Sequence, residues 1–286
     1  MPGRRKRHQF KSKYKSKAKS KKLAFVLAII LVLLTVASFV VYRSAFGGAS
    51  RISTVALSSN GDVVFSLYDF GEGLIANVTI PGNTEVDVAR SLGSWIISSV
   101  WKLGENEKVS GDRLLAETTT KSLKMPVTSV SPNFVEKSKI AYLKFNTKPA
   151  AVVDIDLAKS NYLARTKLGD GSLGYKVSGK DLPFELRTIL ADSRVSKENL
   201  NILFENRSDE ALIETEVGKV IDVIGGKVAS VVKGNLEDTD CTIYGSNKTI
   251  TYQVLASVFS CKTKSKLDNY NFDIVLRVGT SFAARY

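Results

Sequence analysis

Leu200-Asn201-Ile202-Leu203-Phe204-Glu205-Asn206-Arg207-Ser208-Asp209-Glu210-Ala211-Leu212-Ile213-Glu214-Thr215-Glu216-Val217-Gly218-Lys219-Val220-Ile221-Asp222-Val223-Ile224-Gly225-Gly226 changes its hydrophobic period halfway along. Leu200, Ile202 and Phe204 alternate, the period of a strand with one buried face. Ile213, Val217, Val220, Ile221 and Ile224 then recur at steps of three and four, the stripe of an amphipathic helix. Ser208-Asp209-Glu210 supplies helix-start residues, and Gly225-Gly226 a stop, because glycine enters the left-handed conformation of a helix end without steric cost. Downstream, Val228–Val232 and Thr242–Tyr244 read as short strands. Ile250, Val254, Leu255, Val258 and Phe259 make a second helix face, and Phe272, Ile274, Leu276 and Val278 a closing strand. The order β-α-β-β-α-β predicts a small two-layer α/β domain over residues 198–286.

Cys241 begins the Thr242–Tyr244 strand and Cys261 ends the helix that follows. A helix returning antiparallel to its strand brings those two ends together. A disulfide between them is therefore one reading, two separate buried thiols the other.

Working outward toward the N-terminus, Ile52–Ser58 and Asp62–Asp69 flank Asn60-Gly61, a tight-hairpin signal. A third run, Leu74–Ile80, is stopped by Pro81, so the economical reading is a three-strand antiparallel meander. Val88, Leu92, Trp95, Ile96, Val100 and Leu103 share one helical face and predict a helix over 88–103, with Trp95 and Trp101 as packing residues. A further helix is predicted over Asp112–Lys124, before Pro126. Residues 127–187 carry weaker signals, the apolar runs Ile140–Phe145 and Ala151–Leu157 among them. The loop Leu168-Gly169-Asp170-Gly171-Ser172 lacks the spacing and the following Lys-Ser/Thr that cradle a phosphate. Residues 50–187 are read as a mixed α/β domain.

The charge is unevenly spread. Of 41 Lys plus Arg, 11 lie in residues 1–22 with no acid among them, leaving 30 against 28 Asp plus Glu in the rest. The net charge of +13 belongs to a tail, so a basic nucleic-acid-binding globule is an unsuitable reading. The one His, His8, lies in that tail, which removes a Ser-His-Asp triad or a His-based zinc site from the folded part.

Between tail and folded part, Leu23–Tyr42 (LAFVLAIILVLLTVASFVVY) runs 20 residues without a charge. As a helix it spans roughly 30 Å, a bilayer's hydrocarbon thickness. A cleaved signal peptide has a shorter apolar core and a shorter basic start, so a retained signal anchor fits better. Cations before the span, against Arg43 and Arg51 after it, place residues 1–22 in the cytoplasm and everything from about residue 44 outside the cell membrane. The tail's partner is then anionic lipid in the bilayer, with nucleic acid a minor alternative.

Two stretches resemble the LytR-CpsA-Psr family of membrane-anchored envelope proteins. Residues 200–224, with the closing run Asp273-Ile274-Val275-Leu276-Arg277-Val278-Gly279-Thr280-Ser281-Phe282, look like the LytR C-terminal domain, although Asn206-Arg207-Ser208 replaces that family's usual Asn-Gly-Thr/Ser turn. Residues 50–130 look more faintly like the front of its catalytic domain, where Ile80-Pro81-Gly82-Asn83-Thr84 stands in place of Ile-Pro-Arg-Asp-Thr. The resemblance implies an Arg that holds the pyrophosphate of a polyprenyl-linked glycan and an acidic, Mg2+-associated site. Gly82 offers no cation and Asn83 no charge. Asp62 is then the candidate metal carboxylate, and Arg90 and Arg113 the candidate phosphate-binding cations.

Three functions follow from that implication. The first is a diverged, non-catalytic binding module of the cell envelope, its partner a polyprenyl-linked glycan, a cell-wall polymer or another envelope protein. The second is an active transferase moving a polyprenyl-pyrophosphate-linked glycan to the cell wall with displaced arginines and Mg2+. The third is a membrane-tethered regulator acting through its basic tail.

Overall fold

Asn60 and Gly61 turn the chain as their residue types suggest. Gly61 takes φ +89°, and the Asn60 side chain accepts from the Asp62 amide (3.1 Å) while donating to the Asp62 carboxylate (2.9 Å). Around that turn β1 (Arg51–Leu57) and β2 (Val63–Asp69) pair antiparallel, and β3 (Leu74–Ile80) continues the meander. The computed structural model describes residues 29–30, 51–145, 151–265 and 271–286. The predicted basic tail and membrane span lie outside the described residues, save for Ile29 and Ile30, which are helical. No helix among the described residues is long and apolar enough to cross a membrane. Arg51–Tyr286 form one unit by their contacts.

The helix predicted over 88–103 begins only at Ile97. Ahead of it, β4 (Thr84–Asp87) and β5 (Ser94–Ile96) form a hairpin. Arg90 (φ 67°), Ser91 (φ 55°) and Gly93 (φ 80°) carry the chain through the left-handed region, which a right-handed helix cannot contain. Trp95 therefore sits on a short strand, 44% exposed, with its Nε1 donating to the Leu92 carbonyl (2.9 Å). α1 (Ile97–Asn106) keeps Val100 and Leu103 on its covered side. Trp101 packs its ring over Gly111, where a Cβ would stand 2.7 Å from the ring. α2 (Gly111–Leu123) lies one residue earlier than predicted at each end. Its Leu114, Leu115, Thr118 and Leu123 fill the space beside β1 and β4.

The weak signals after residue 127 resolve into α3 (Phe134–Phe145), β6 (Ala151–Asp156), and a hairpin of β7 (Leu163–Lys167) and β8 (Leu173–Val177). The Gly-rich loop is that hairpin's turn. β6 adds to β3 in parallel, giving a sheet of order β1-β2-β3-β6, and a second sheet runs β5-β4-β8-β7. α4 (Phe184–Leu190) and α5 (Ser193–Glu198) lead onward.

The C-terminal part contains β9 (Asn201–Arg207), α6 (Ile213–Ile224), β10 (Lys227–Lys233), β11 (Cys241–Tyr244), α7 (Ile250–Val258), β12 (Lys262–Lys264), β13 (Ile274–Gly279) and α8 (Thr280–Arg285). Its sheet is ordered β10-β9-β13-β11-β12, with β9 parallel to both β10 and β13, and β11 antiparallel to β13. β12 and α8 add to the predicted order. Both are too short for a periodic signal. Gly225 (φ +95°) ends α6, with the Gly226 amide returning to the Ile221 carbonyl (2.9 Å). The start of α6 is organised by Asn206 and not by Ser208. Its Oδ1 accepts from the Ser208 amide (2.9 Å), and its Nδ2 donates to the Glu210 carbonyl (3.1 Å) and the Glu214 carboxylate (2.9 Å).

Two apolar cores result. One gathers Phe65, Val78, Ile80, Val86, Ile97, Leu114, Leu123 and Leu186. The other gathers Ile202, Phe204, Val217, Ile221, Leu255, Leu276 and Phe282. α6 serves both, because Val223 packs into the first core while its main stripe faces the second. Arg51 fastens the join by donating to the carbonyls of Ile189 and Ala191 at the end of α4, where a cation suits the negative helix terminus. Burial lowers the Arg51 pKa, against the opposing pull of Asp192 and Asp69. The Cys241 and Cys261 sulfurs stand at bonding distance, 2.05 Å, with Cα atoms 4.8 Å apart, where β11 and the end of α7 meet.

Candidate functional site

The loop Ile80–Thr84 is a junction. The Gly82 amide donates to Asp62 Oδ1 (2.9 Å), and the Gly82 carbonyl accepts from the Ser98 amide at the start of α1 (3.1 Å). A Cβ at position 82 would meet the Gly61 carbonyl oxygen at 2.2 Å, so no side chain fits there without moving the β1–β2 turn. Asn83 donates its amide to the Leu173 carbonyl (3.0 Å), and its own carbonyl accepts from Tyr175 (3.2 Å), tying the loop to β8. Asp62 therefore spends its two oxygens on Gly82 and Asn60. A carboxylate so engaged and a neutral amide turned to a carbonyl are a poor donor set for Mg2+, which wants charged oxygens free to form an octahedron. Among the described residues no three of His, Cys, Asp and Glu stand together as a ligand group.

Arg90 and Arg113 are brought together, by a partner that sequence reading missed. Arg90 binds Glu117 through Nε (2.7 Å) and Nη2 (2.9 Å), and Arg113 reaches the same carboxylate through Nε (3.0 Å). Arg113 and Glu117 are one helical turn apart on α2, while Arg90 comes from the β4–β5 turn. The Arg90 amide also donates to the Arg285 carbonyl (3.2 Å), so the C-terminal helix closes one side. Arg90 is thus held as a bidentate partner of a largely buried acid.

None of these residues lines the clefts beside β4. One, of about 400 Å³, is lined by Glu85, Asp87, Lys121, Lys124, Lys176 and Glu216. A second, of about 230 Å³, shares Ser122, Lys124 and Val177 with it and adds Lys180, Arg187, Lys219 and Asp222. Cations and carboxylates alternate along these walls. Lys176 pairs with Glu85 (2.8 Å), Lys121 with Asp87 (3.8 Å), Arg187 with Asp222 (2.9 Å), and both Lys124 and Lys219 with Glu216. Burial lowers the Lys124 pKa against its hydrogen bond to Glu216. For Glu216, burial works against ionisation, but the hydrogen bonds from Lys124 and Lys219 hold its carboxyl below its usual value. Tyr162, at the floor, is pushed well up by burial and donates to the Leu123 carbonyl (3.0 Å).

The second cleft carries Lys124, Lys180, Arg187 and Lys219 against Asp181 and Asp222, but in the first, three lysines meet three carboxylates, and such paired ions offer donors and acceptors at fixed places with little net field. Such a lining suits a polar, weakly charged ligand with many hydroxyls better than a pyrophosphate, which needs a surplus of cations. The sequence held one clue to it, Lys121-Ser122-Leu123-Lys124 ahead of Pro126, which marks a helix end. Nothing there indicated Glu216, which arrives from the other core. Comparison of the chain with protein-family models, curated proteins and solved structures finds no match.

Proposed function

We propose that the chain is a single-pass cell-membrane protein whose Leu23–Tyr42 segment holds residues 51–286 outside the cell, and that this part binds an envelope glycan or cell-wall polymer and catalyses no transfer. In this reading residues 50–187 are a diverged LytR-CpsA-Psr-like domain and 198–286 a LytR C-terminal-like domain. The observation that carries it is the engagement of Arg90 and Arg113 by Glu117, with position 82 closed to any side chain by Gly61. Phosphoryl transfer works by positioning and charge neutralisation of a pyrophosphate. Cations already neutralised by an internal carboxylate do not supply that. The paired ions of the cleft lined by Glu85, Asp87, Lys121, Lys124, Lys176 and Glu216 supply what carbohydrate binding needs.

The test uses the full chain in detergent with a polyprenyl-pyrophosphate-linked glycan, Mg2+ and a cell-wall acceptor. The expected result is retention of isolated cell-wall glycan by the protein with no release of polyprenyl phosphate. Release that is abolished by Arg90→Ala overturns the reading in favour of a transferase.

A further inference from the structure

α3 buries part of its apolar surface and leaves two phenylalanines outside. Asn133 and Glu136 close a reciprocal capping box, the Asn133 amide donating to Glu136 (2.8 Å) and the Glu136 amide to Asn133 Oδ1 (2.9 Å). The helix's one acid is thereby consumed at its start. Ile140 and Leu143 pack on Tyr68 and Ile75 of the first sheet. At 100° per residue this fixes the opposite side: Phe134, Ser138, Ala141 and Phe145 along the centre, Tyr142 and Val135 on one flank and Lys137 on the other, while the Lys144 ammonium turns back over the Tyr68 ring, 5.4 Å from its centroid. Phe134 is 85% exposed and Phe145 82%.

The position of this patch in the sheet identifies its occupant. Arg51, Asp69, Leu74 and Ala151 form one row across the sheet, and Ile52, Tyr68, Ile75 and Val152 the next. The chain therefore enters β1 at the same end of the sheet where it passes from Phe145 into β6. Only residues 43–50 separate Arg51 from Tyr42, a reach of roughly 30 Å when fully extended. An aromatic face flanked by Lys137, on a helix whose one acid is engaged in its own cap and so close to the tether's exit, is complementary to an anionic lipid surface.

We propose that the outer face of α3 rests on the outer leaflet of the membrane as a second contact, inserting Phe134, Val135 and Phe145 among the headgroups while Lys137 meets anionic lipid. The inference rests on the tether reading above. A lobe held at two points keeps one orientation to the bilayer, which would present the β4 clefts to the wall in a fixed direction.

The full chain carrying Phe145→Cys, and separately Phe134→Cys, is labelled with an environment-sensitive fluorophore and reconstituted in phosphatidylglycerol–phosphatidylcholine vesicles containing a shallow spin-labelled quencher lipid. Asn60→Cys, at the far turn of the sheet, is the reference. Labels at 134 and 145 are expected to shift to the blue and to be quenched at least about twofold more than the label at 60. Lys137→Glu is expected to reduce that difference about 1.5-fold. Labels at 134 and 145 that behave like the label at 60 overturn the proposal. So does a blue shift in lipid-free detergent that grows with protein concentration, which assigns the face to a second copy of the chain. Alkaline carbonate extraction reports the tether separately. A chain that resists extraction while its labels remain in water refutes the α3 contact alone, whereas a chain that is stripped refutes the tether, with the label signal before stripping still deciding the α3 contact.

Discussion

Arg90 and Glu117 form a two-point ion pair, Nε and Nη2 at 2.7 and 2.9 Å from the two carboxylate oxygens, that joins the β4–β5 turn to α2. Glu117 is largely buried, so removing it leaves two arginines facing an empty polar site. Glu117→Ala is expected to cost about 1–3 kcal/mol, and Arg90→Ala a similar amount, read as a lower urea midpoint at unchanged slope. Arg113→Ala should cost less than about 0.5 kcal/mol, because that side chain is half exposed and makes one contact. Equal losses at 90 and 113 would mean the pair is not the anchor.

In the proposed LytR-CpsA-Psr-like reading, Gly82 stands where that family would carry an arginine. A Cβ there would collide with the Gly61 carbonyl at 2.2 Å. Gly82→Ala should therefore destabilise by about 1–3 kcal/mol, and Gly82→Arg by at least as much without creating transferase activity. A thermal midpoint unchanged in Gly82→Ala would show that the junction yields easily.

The Cys241–Cys261 pair closes a loop with a sequence separation of 20. In the chain-entropy description such a closure stabilises by ~3 kcal/mol. Replacing both cysteines by serine should lower the unfolding free energy by about that amount, and reductant should shift the parent chain but not the variant. Equal response of the two to reductant would contradict the bond.

Much of the fold was legible where apolar residues recur with one period into a single core. β9 and α6 show it best: Ile202 and Phe204 alternate into the core, Val217, Val220 and Ile221 recur helically into the same core, and Gly225 ends the helix as glycine should. Residues 88–96 misled because hydrophobic spacing there mimics a helix, whereas Arg90 and Ser91 adopt positive φ, for which neither residue type gives a signal. The candidate site was half legible. Arg90 and Arg113 were singled out, but Glu117 sits 27 residues from Arg90 and could not be assigned to it before the β4–β5 turn was placed against α2.

Acid should loosen the join between the two cores. Burial works against ionisation of Asp192, but the Arg194 hydrogen bonds and the nearby Arg51 charge outweigh it and hold its carboxyl below the usual value. For Glu198, burial is likewise outweighed by hydrogen bonds from Thr251 and Ile250 at the start of α7. A carboxyl depressed in the folded state contributes stability that is complete above its unfolded pKa and is lost as pH falls through the folded one. The thermal midpoint should hold down to about pH 5 and fall below about pH 4, with a shallower fall in Asp192→Asn. An identical acid profile in that variant would remove Asp192 from the account.

The side of the membrane on which residues 51–286 lie decides most. Protease added to intact cells lacking an outer membrane, or to spheroplasts, should digest that part while residues 1–22 stay protected. Survival of the C-terminal part until the cells are lysed would contradict the envelope role.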